Sequence, residues 1–435
     1  MSQVKSGLRA RQTPCAQIVR KIIYSPGIKD RKAAPMIESL LGRMAKTGDL
    51  TVRLPGDRSL KAGDGSAPAV TIRLTARGLR RVVANPSLGL GEAYMDEDLV
   101  FEQGTMRDLL WIVGASGGRA PKPRGSWPKR AWKTAKRRLQ QLNDATASRR
   151  NVAHHYDISN DLYRRFLDAD MQYSCAYFPQ PDVSLEDAQS AKKLHLASKL
   201  ALKPGLKVLD IGSGWGGLAI TLARDFGVQV TGVTLSTEQL ELARQRARDA
   251  GVAERVRFEL RDYRSLNEPF DRIISVGMLE HVGSPHFGDY FETVKRLLAD
   301  DGSAIIHSIG RMSGPGLTNP FTRKYIFPGG YIPALSEIVA AVETTNLWIT
   351  DIEILRLHYA MTIRHWLERF LADPEIPQLY DARFRRMWEF YLCGAELGFR
   401  HGNHMNFQIQ VAKRRDALPL TRDYMREAEL AAQAS

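Results

Sequence analysis

The run Val208-Leu209-Asp210-Ile211-Gly212-Ser213-Gly214-Trp215-Gly216-Gly217 has the residue types and spacing of a ligand-binding turn. An apolar, strand-like stretch ends in a carboxylate and passes into a glycine-rich turn that opens a helix. Glycines let a backbone turn tightly and approach a ligand closely. The turn lacks the Lys-Ser/Thr pair of a triphosphate loop, and the charge of Asp210 would repel a pyrophosphate. A ligand with positive charge and no phosphate suits it better. S-adenosylmethionine (SAM), with a sulfonium and an α-ammonium group, is such a ligand. The next strand-like run ends Gly232-Val233-Thr234-Leu235-Ser236-Thr237-Glu238-Gln239, without a ribose-binding acid. Thr234 and Gln239 can bond ribose hydroxyls as neutral groups. Ser236 either joins them or caps the helix that TEQLELAR begins, and the two roles are compatible. Asp262 and Tyr263 follow the third strand-like run, at the adenine edge of such a fold or in an ordinary turn.

These residues need a scaffold, and the surrounding segments supply one. Strand-like and helical runs alternate: KVLDIG then GGLAITLARDFG, VQVTGVTLS then TEQLELARQRARDAG, VRFELRD, FDRIISVGM then YFETVKRLLADDG, and SAIIHSIG. This alternation predicts an α/β domain with a parallel, doubly wound, Rossmann-like sheet over 151–415, followed by a tail over 416–435. Ahead of it, 1–34 reads as a basic arm and 35–115 as a small α+β domain. In that domain PMIESLLGRMAKTGDL has helical apolar spacing, while LTVRLPG and AVTIRLTA alternate like strands. LGLGEAYMDEDLVF and TMRDLLWIVG read as further helix. Residues 116–150 read as a Gly/Pro-rich linker running into a basic helix.

Charge is distributed unevenly over the 435 residues. Residues 1–150 carry 29 Lys and Arg against 12 Asp and Glu, a net of +17, and the remainder carries 33 against 36. A basic accessory region on a near-neutral body suggests docking to a polyanion, either anionic phospholipid or nucleic acid. Nine Lys and Arg lie between Arg119 and Arg138, with Trp127 and Trp132 among them. That segment reads either as a solvated linker or as a membrane-surface element. No run approaches roughly 20 uninterrupted apolar residues, so no membrane-spanning helix is expected. The first thirty residues lack the long apolar core of a secretory signal. Cys15, Cys175 and Cys393 offer neither a disulfide framework nor a zinc pattern and suit a reducing compartment.

HHYDISNDLYRRFLDADMQYSCAYF, VLDIGSGWGG, VTGVTLSTEQ, RDYRSL, DRIISVGMLEHVG, IIHSIG, KYIFPGGYIP and LHYAMTIRHWLERF, in this order, together resemble the cyclopropane-fatty-acyl-phospholipid synthase family, which includes the mycolic acid cyclopropane synthases. The resemblance implies a class I SAM-dependent methyltransferase domain and alkyl transfer from SAM to the cis double bond of a phospholipid acyl chain. It further implies a carbocation deprotonated by a bound bicarbonate, so that a ring can close. Carried over by position, the bicarbonate site is Glu280 of MLEHVG, His307 of IIHSIG, the backbone of Ile309, Tyr359 of LHYAMT and Cys175 of QYSCAY. The SAM contacts are Tyr173, Ser174, Asp210, Gly212, Gly214, Thr234, Leu235, Gln239 and Tyr263. Tyr177, Phe178 and Tyr325 are candidate aromatic faces for the cation. No metal is implied.

Each of these residues also has a plainer reading: Glu280 with His281 as a surface-loop pair, His307 as a satisfied core histidine, Tyr359 as packing, Cys175 as a small buried side chain. In YLCGAELGFR, Ala395 stands where many family members carry a further cysteine, and Cys393 lies two residues earlier. The resemblance also implies a lipid-engaging N-terminal region, and the enzyme is expected in the cytoplasm, peripheral on the inner face of the cytoplasmic membrane. It leaves a homodimer open, and nucleic acid is not expected as a partner. Two other functions compete: a fatty-acyl C-methyltransferase that adds a branch without closing a ring, and, from a different class, an RNA-binding protein motivated by the basic N-terminal third.

Overall fold

The computed structural model describes residues 41–117, less 43 and 57, and residues 160–434. The basic arm, the linker and its basic helix, and the HHYDIS stretch lie outside the described residues. The chain divides into two compact units. The described residues up to 117 form one together with 382–390, and the other described residues form the second.

The first unit is built on a four-stranded sheet in the order β2-β1-β3-β4. Its strands are β1 (Asp49–Leu54), β2 (Arg58–Gly63), β3 (Ala69–Leu74) and β4 (Leu99–Gln103). Alternate residues Leu50, Val52 and Leu54 of β1, and Val70, Ile72 and Leu74 of β3, are buried, as a half-covered sheet requires. Helices α1 (Ala76–Ala84), α2 (Pro86–Met95) and α3 (Met106–Gly117) complete the unit. The helical reading of LGLGEAYMDEDLVF is corrected here, because its last residues are β4. Glu97 adopts a left-handed φ of 59°, which breaks the helix. The Asp98 carboxylate is then held by Thr75 Oγ1 at 2.5 Å and Arg77 Nε at 2.5 Å, which starts a strand pairing Leu99 with Leu74.

The second unit contains a seven-stranded sheet. Its strands are β5 (Lys207–Ile211), β6 (Gln229–Thr234), β7 (Val256–Leu260), β8 (Phe270–Val276), β9 (Leu298–Arg311), β10 (Trp348–Leu355) and β11 (His404–Ala412), in the order β10-β11-β9-β8-β5-β6-β7. Strands β5 to β9 pair in parallel. Neighbouring strand residues bury on opposite faces. Val208, Val230, Ile274 and Ile305 pack with α5 (Leu185–Lys199 in the chain, after α4, Asn160–Phe166), α6 (Gly217–Phe226) and α7 (Thr237–Asp249). Leu209, Ile273 and Ile306 pack with α8 (Phe287–Leu297) and α9 (Leu335–Glu343). The sheet is therefore doubly wound.

It is not wholly parallel, however. Strand β11 runs antiparallel to both β9 and β10. The polar side chains that alternate along β11, Asn406, Gln408 and Gln410, are buried rather than facing solvent. Helices α10 (His358–Ala372), α11 (Ile376–Leu379), α12 (Ala382–Arg400) and α13 (Asp423–Ala434) follow β10 in the chain, with β11 between the last two. Among the described residues no helix is long and apolar enough to cross a membrane, and no group of three or more His, Cys, Asp or Glu could hold a metal ion.

Candidate active site

Strands β5, β6 and β8 deliver their carboxyl ends to one cavity of about 210 Å³. This is where ligands bind in open α/β sheets. The turn after β5 makes the cavity floor. Gly212 and Gly214 have φ of +81° and +54°, in the region that favours glycine. A Cβ on Gly214 would meet nothing within 4 Å, so its bare backbone faces open space in the cavity wall. Gly216 and Gly232 serve packing instead, since a Cβ on either would lie 2.6 Å from the Phe258 ring.

Of the residues assigned to the cofactor from sequence, Tyr173, Ser174, Asp210, Gly212, Gly214, Thr234, Leu235, Gln239, Asp262 and Tyr263 line the cavity. Ser236 does not. Its Oγ accepts from the Gln239 amide at 3.3 Å, the capping role alone. Thr234 Oγ1 donates to Gln239 Oε1 at 2.9 Å, which orients the Gln239 amide and leaves Nε2 as its donor. Asp262 caps a short turn and pairs with Arg264 at 2.6 Å.

Asp210 is 2 % exposed, and its Oδ2 has no hydrogen-bond partner. Burial pushes its carboxyl up to about 7, with Lys192 opposing. A buried carboxylate oxygen without a donor is costly, and it fits the ammonium or hydroxyl donors of a nucleoside-linked amino acid. The residues present therefore fit SAM. Tyr173 sits in an aromatic cluster with Tyr163 and Trp366, each ring centroid 5.1 Å away. Desolvation raises its phenol well above the ordinary range. Sequence reasoning missed Gln172, Met278 and His281 in the wall, and Lys192 behind it. His281 is half-buried and desolvation pushes its imidazole down to about 4, while Glu280 beside it is buried, so Glu280–His281 is no surface pair.

The residues carried over for the anion site fall into three sets: Glu280 with Ile309, Cys175 with Tyr359 through α10, and His307 on β9. Glu280 Oε1 accepts from the Ile309 amide at 2.6 Å, while Oε2 is buried without a partner. Burial pushes this carboxyl up to about 7. The Ile309 N–H thus already serves Glu280. Cys175 is 1 % exposed, and desolvation raises its thiol so far that it is a thiol and not a thiolate. The neighbouring Ala176 amide donates to Thr362 Oγ1 at 3.0 Å, which ties Cys175 to α10, three residues after Tyr359. Tyr359 is buried against Trp366 and Phe399.

His307 projects from the same face of β9 as Ile309. Gln408 Oε1 accepts from Lys199 Nζ at 2.6 Å, so Gln408 Nε2 is the donor to His307 Nδ1 at 3.1 Å. The imidazole proton therefore resides on Nε2. Asn406 Nδ2 lies 3.1 Å from that Nε2 while Asn406 Oδ1 has no partner, and turning the amide over satisfies both atoms. Desolvation pushes His307 down to about 3, so it donates as a neutral ring.

The candidate aromatic faces are already occupied. Tyr177 is stacked on His195 at 4.1 Å and on His358 at 5.0 Å, Phe178 on His365 at 5.8 Å, and Lys324 Nζ lies 4.9 Å from the Tyr325 ring. The aromatic residues that line the cavity are Tyr173, Trp215 and Tyr263.

Comparison with known proteins agrees with this geometry. Residues 143–409 match the family model for mycolic acid cyclopropane synthetase. The Escherichia coli (strain K12) cyclopropane-fatty-acyl-phospholipid synthase is 37 % identical over 400 residues, covering 87 % of this chain and 97 % of that protein. The Mycobacterium tuberculosis tuberculostearic acid methyltransferase UfaA1 is 35 % identical over 395 residues, covering 85 % of this chain and 89 % of its own length. Among solved structures, mycolic acid cyclopropane synthase CmaA1 complexed with SAH and CTAB superposes with a TM-score of 0.58 at 31 % identity, over 60 % of this chain and 97 % of that one. With a doubly wound sheet, a glycine-floored cavity at its carboxyl edge and these relatives over most of its length, the chain belongs to the mycolic acid cyclopropane synthetase family and is a SAM-dependent methyltransferase.

Proposed function

We propose that this enzyme closes a cyclopropane ring across the cis double bond of an unsaturated phospholipid acyl chain. The observation that carries the reading is Glu280, a buried carboxyl with one oxygen fixed by the Ile309 amide and the other without a partner. SAM, when bound, supplies the electrophilic carbon. An alkene that takes up this carbon becomes a cation, and ring closure then requires loss of a proton. Glu280 Oε2 is available to accept and orient the hydroxyl of a bicarbonate, the base that this reading assigns. In this reading the neutral His307 Nε2–H turns from Asn406 Oδ1 to the same anion, and Tyr359 offers a phenol. Cys175, held as a thiol, contributes its small size and its backbone and no nucleophile. The aromatic cluster around Tyr173 keeps water from a cation that water would quench.

Lipids from cells expressing the enzyme are expected to show the high-field proton resonances of a cyclopropane ring. Vinylidene signals, or a saturated methyl branch, would instead make it a fatty-acyl C-methyltransferase; UfaA1 is named a tuberculostearic acid methyltransferase. Mass alone does not separate a ring from a methylene branch, because both add CH2.

The bilayer contact belongs to the same proposal. The basic N-terminal third docks the enzyme on anionic phospholipid at the cytoplasmic face of the membrane, each basic residue near the surface contributing about 1 kcal/mol. Replacing the nine Lys and Arg between Arg119 and Arg138 with Gln is expected to lower the rate on anionic vesicles about tenfold at low salt, and to flatten its salt dependence. SAM affinity is expected to stay unchanged. Tighter binding of RNA than of anionic vesicles at matched salt would overturn the docking role.

A further inference from the structure

We propose that Lys192 is a positioning residue of the cofactor site: its ammonium holds Gln172 and Ser174 so that the Ser174 hydroxyl hydrogen is presented to the cavity, as a donor to the carboxylate of the cofactor's amino-acid end. The inference rests on the cavity being the SAM site and is independent of what product forms.

Lys192 lies on α5 and is 0 % exposed. Its neighbour Lys193 is conventionally paired, with Asp170 Oδ2 at 2.6 Å. Lys192 has no such partner among the described residues. Its Nζ donates to Gln172 Oε1 and, at 3.0 Å, to Ser174 Oγ, both neutral groups. Burying an ammonium against neutral acceptors is costly, and a methionine would fill the same space without that cost. Desolvation accordingly pulls Lys192 down to about 8, with Asp168 and Asp170 holding the charge on and Lys193 opposing it. Asp210, Cys175 and His307 also feel it.

The main chain of residues 172–177 does not need this lysine. Gln189 Nε2 donates to the carbonyls of Gln172 at 3.1 Å and Ser174 at 3.0 Å, and the Tyr177 amide donates to the Ala188 carbonyl at 3.0 Å. What Lys192 adds is control of two side chains, and both residues line the cavity. Gln172 is pinned at both ends by it and by Asp170, since its Nε2 donates to Asp170 Oδ2 at 3.0 Å. Ser174 is different. A hydroxyl that accepts from an ammonium turns its own hydrogen away from that ammonium and becomes a stronger donor for it. On the cavity side, a carboxylate is the ligand group that uses such a donor.

The test is calorimetry on the full chain with two probes: S-adenosylhomocysteine, which has the carboxylate, and 5′-methylthioadenosine, which lacks the amino-acid end. Lys192→Met is expected to weaken S-adenosylhomocysteine about 10- to 30-fold, the scale of a charge-assisted hydrogen bond, and methylthioadenosine less than about twofold. Ser174→Ala is expected to weaken the first probe, and the double variant to be no weaker than Lys192→Met alone, because both remove one chain of hydrogen bonds. Equal weakening of both probes would make Lys192 a general packing residue, and losses that multiply in the double variant would uncouple it from Ser174. Either result overturns the proposal. Where Lys192→Met does not give a cooperative melt, Lys192→Gln takes its place, read by the same ratio of the two probes.

Discussion

Glu280→Gln is expected to lower turnover by about two to three orders of magnitude while leaving SAM affinity within about twofold, because general acid–base and orienting groups act on the reacting anion and not on the nucleoside. The carboxyl lies outside the cavity wall formed by Asp210 and the glycine turn, and is fixed on Ile309. The isosteric amide can keep that contact and still fill the space. What it loses is the charge on the free oxygen. Because burial places the wild-type carboxyl at about 7, the wild-type rate is expected to rise with pH through that value as the carboxylate forms. Stability moves the other way. Folding raises this group from its ordinary 4.5, so its stabilising contribution is fully present below 4.5 and is lost as pH rises through about 7. At pH 8 the apo Glu280→Gln variant should therefore melt above the wild type, and at pH 4.5 the two should coincide. Stopped-lipid assays and melting curves across this range check both halves. A variant that no longer binds SAM would move Glu280 into the cofactor site and remove it from proton handling.

Most of the scaffold behind these residues was legible because it obeys local rules. The runs KVLDI, FDRIISV and the strand containing IIHSIG are largely buried on both faces, as central parallel strands must be, whereas VRFEL alternates as the edge strand beside QVTGVT, and amphipathic helices separate most of them. The glycine turn was legible for the same reason, since positive φ leaves few residue choices. Strand β11 was not. Its alternation of Asn406, Gln408 and Gln410 with Phe407, Ile409 and Val411 resembles a strand with one wet face, yet both faces are buried. The polar face is satisfied by His307, Lys199 and Tyr424, contacts that only the tertiary fold creates. Lys192 was hidden likewise. In SAKKLHLASK nothing local separates the lysine that reaches Asp170 from the one enclosed behind Ser174. Ser236 shows the reverse case. Its capping role is local and sufficient, and the cavity wall passes it by.

Asp210→Asn should give the opposite pattern from Glu280→Gln, although the two carboxyls share a burial signature. Asp210 Oδ2 lies in the cavity wall with no protein donor, so a ligand donor there forms a charge-assisted hydrogen bond that the amide reproduces poorly. SAM affinity is expected to fall about 10- to 100-fold, and turnover at saturating SAM much less. Burial places this carboxyl at about 7, so wild-type affinity should rise between pH 6 and pH 8 as the carboxylate forms, and the Asn variant should lose that slope. The apo protein again moves against the ligand. The Asp210 contribution to stability is fully present below its ordinary 3.8 and is lost as pH rises through about 7. Saturating SAM restores a counter-charge, so the ligand-induced rise in melting temperature should be larger at pH 8 than at pH 6 in the wild type and equal at the two in Asp210→Asn. Unchanged SAM affinity in that variant would mean that the orphan oxygen is filled by something other than the cofactor. Paired with Glu280→Gln, the experiment assigns each buried acid by which quantity it moves, nucleoside affinity or turnover.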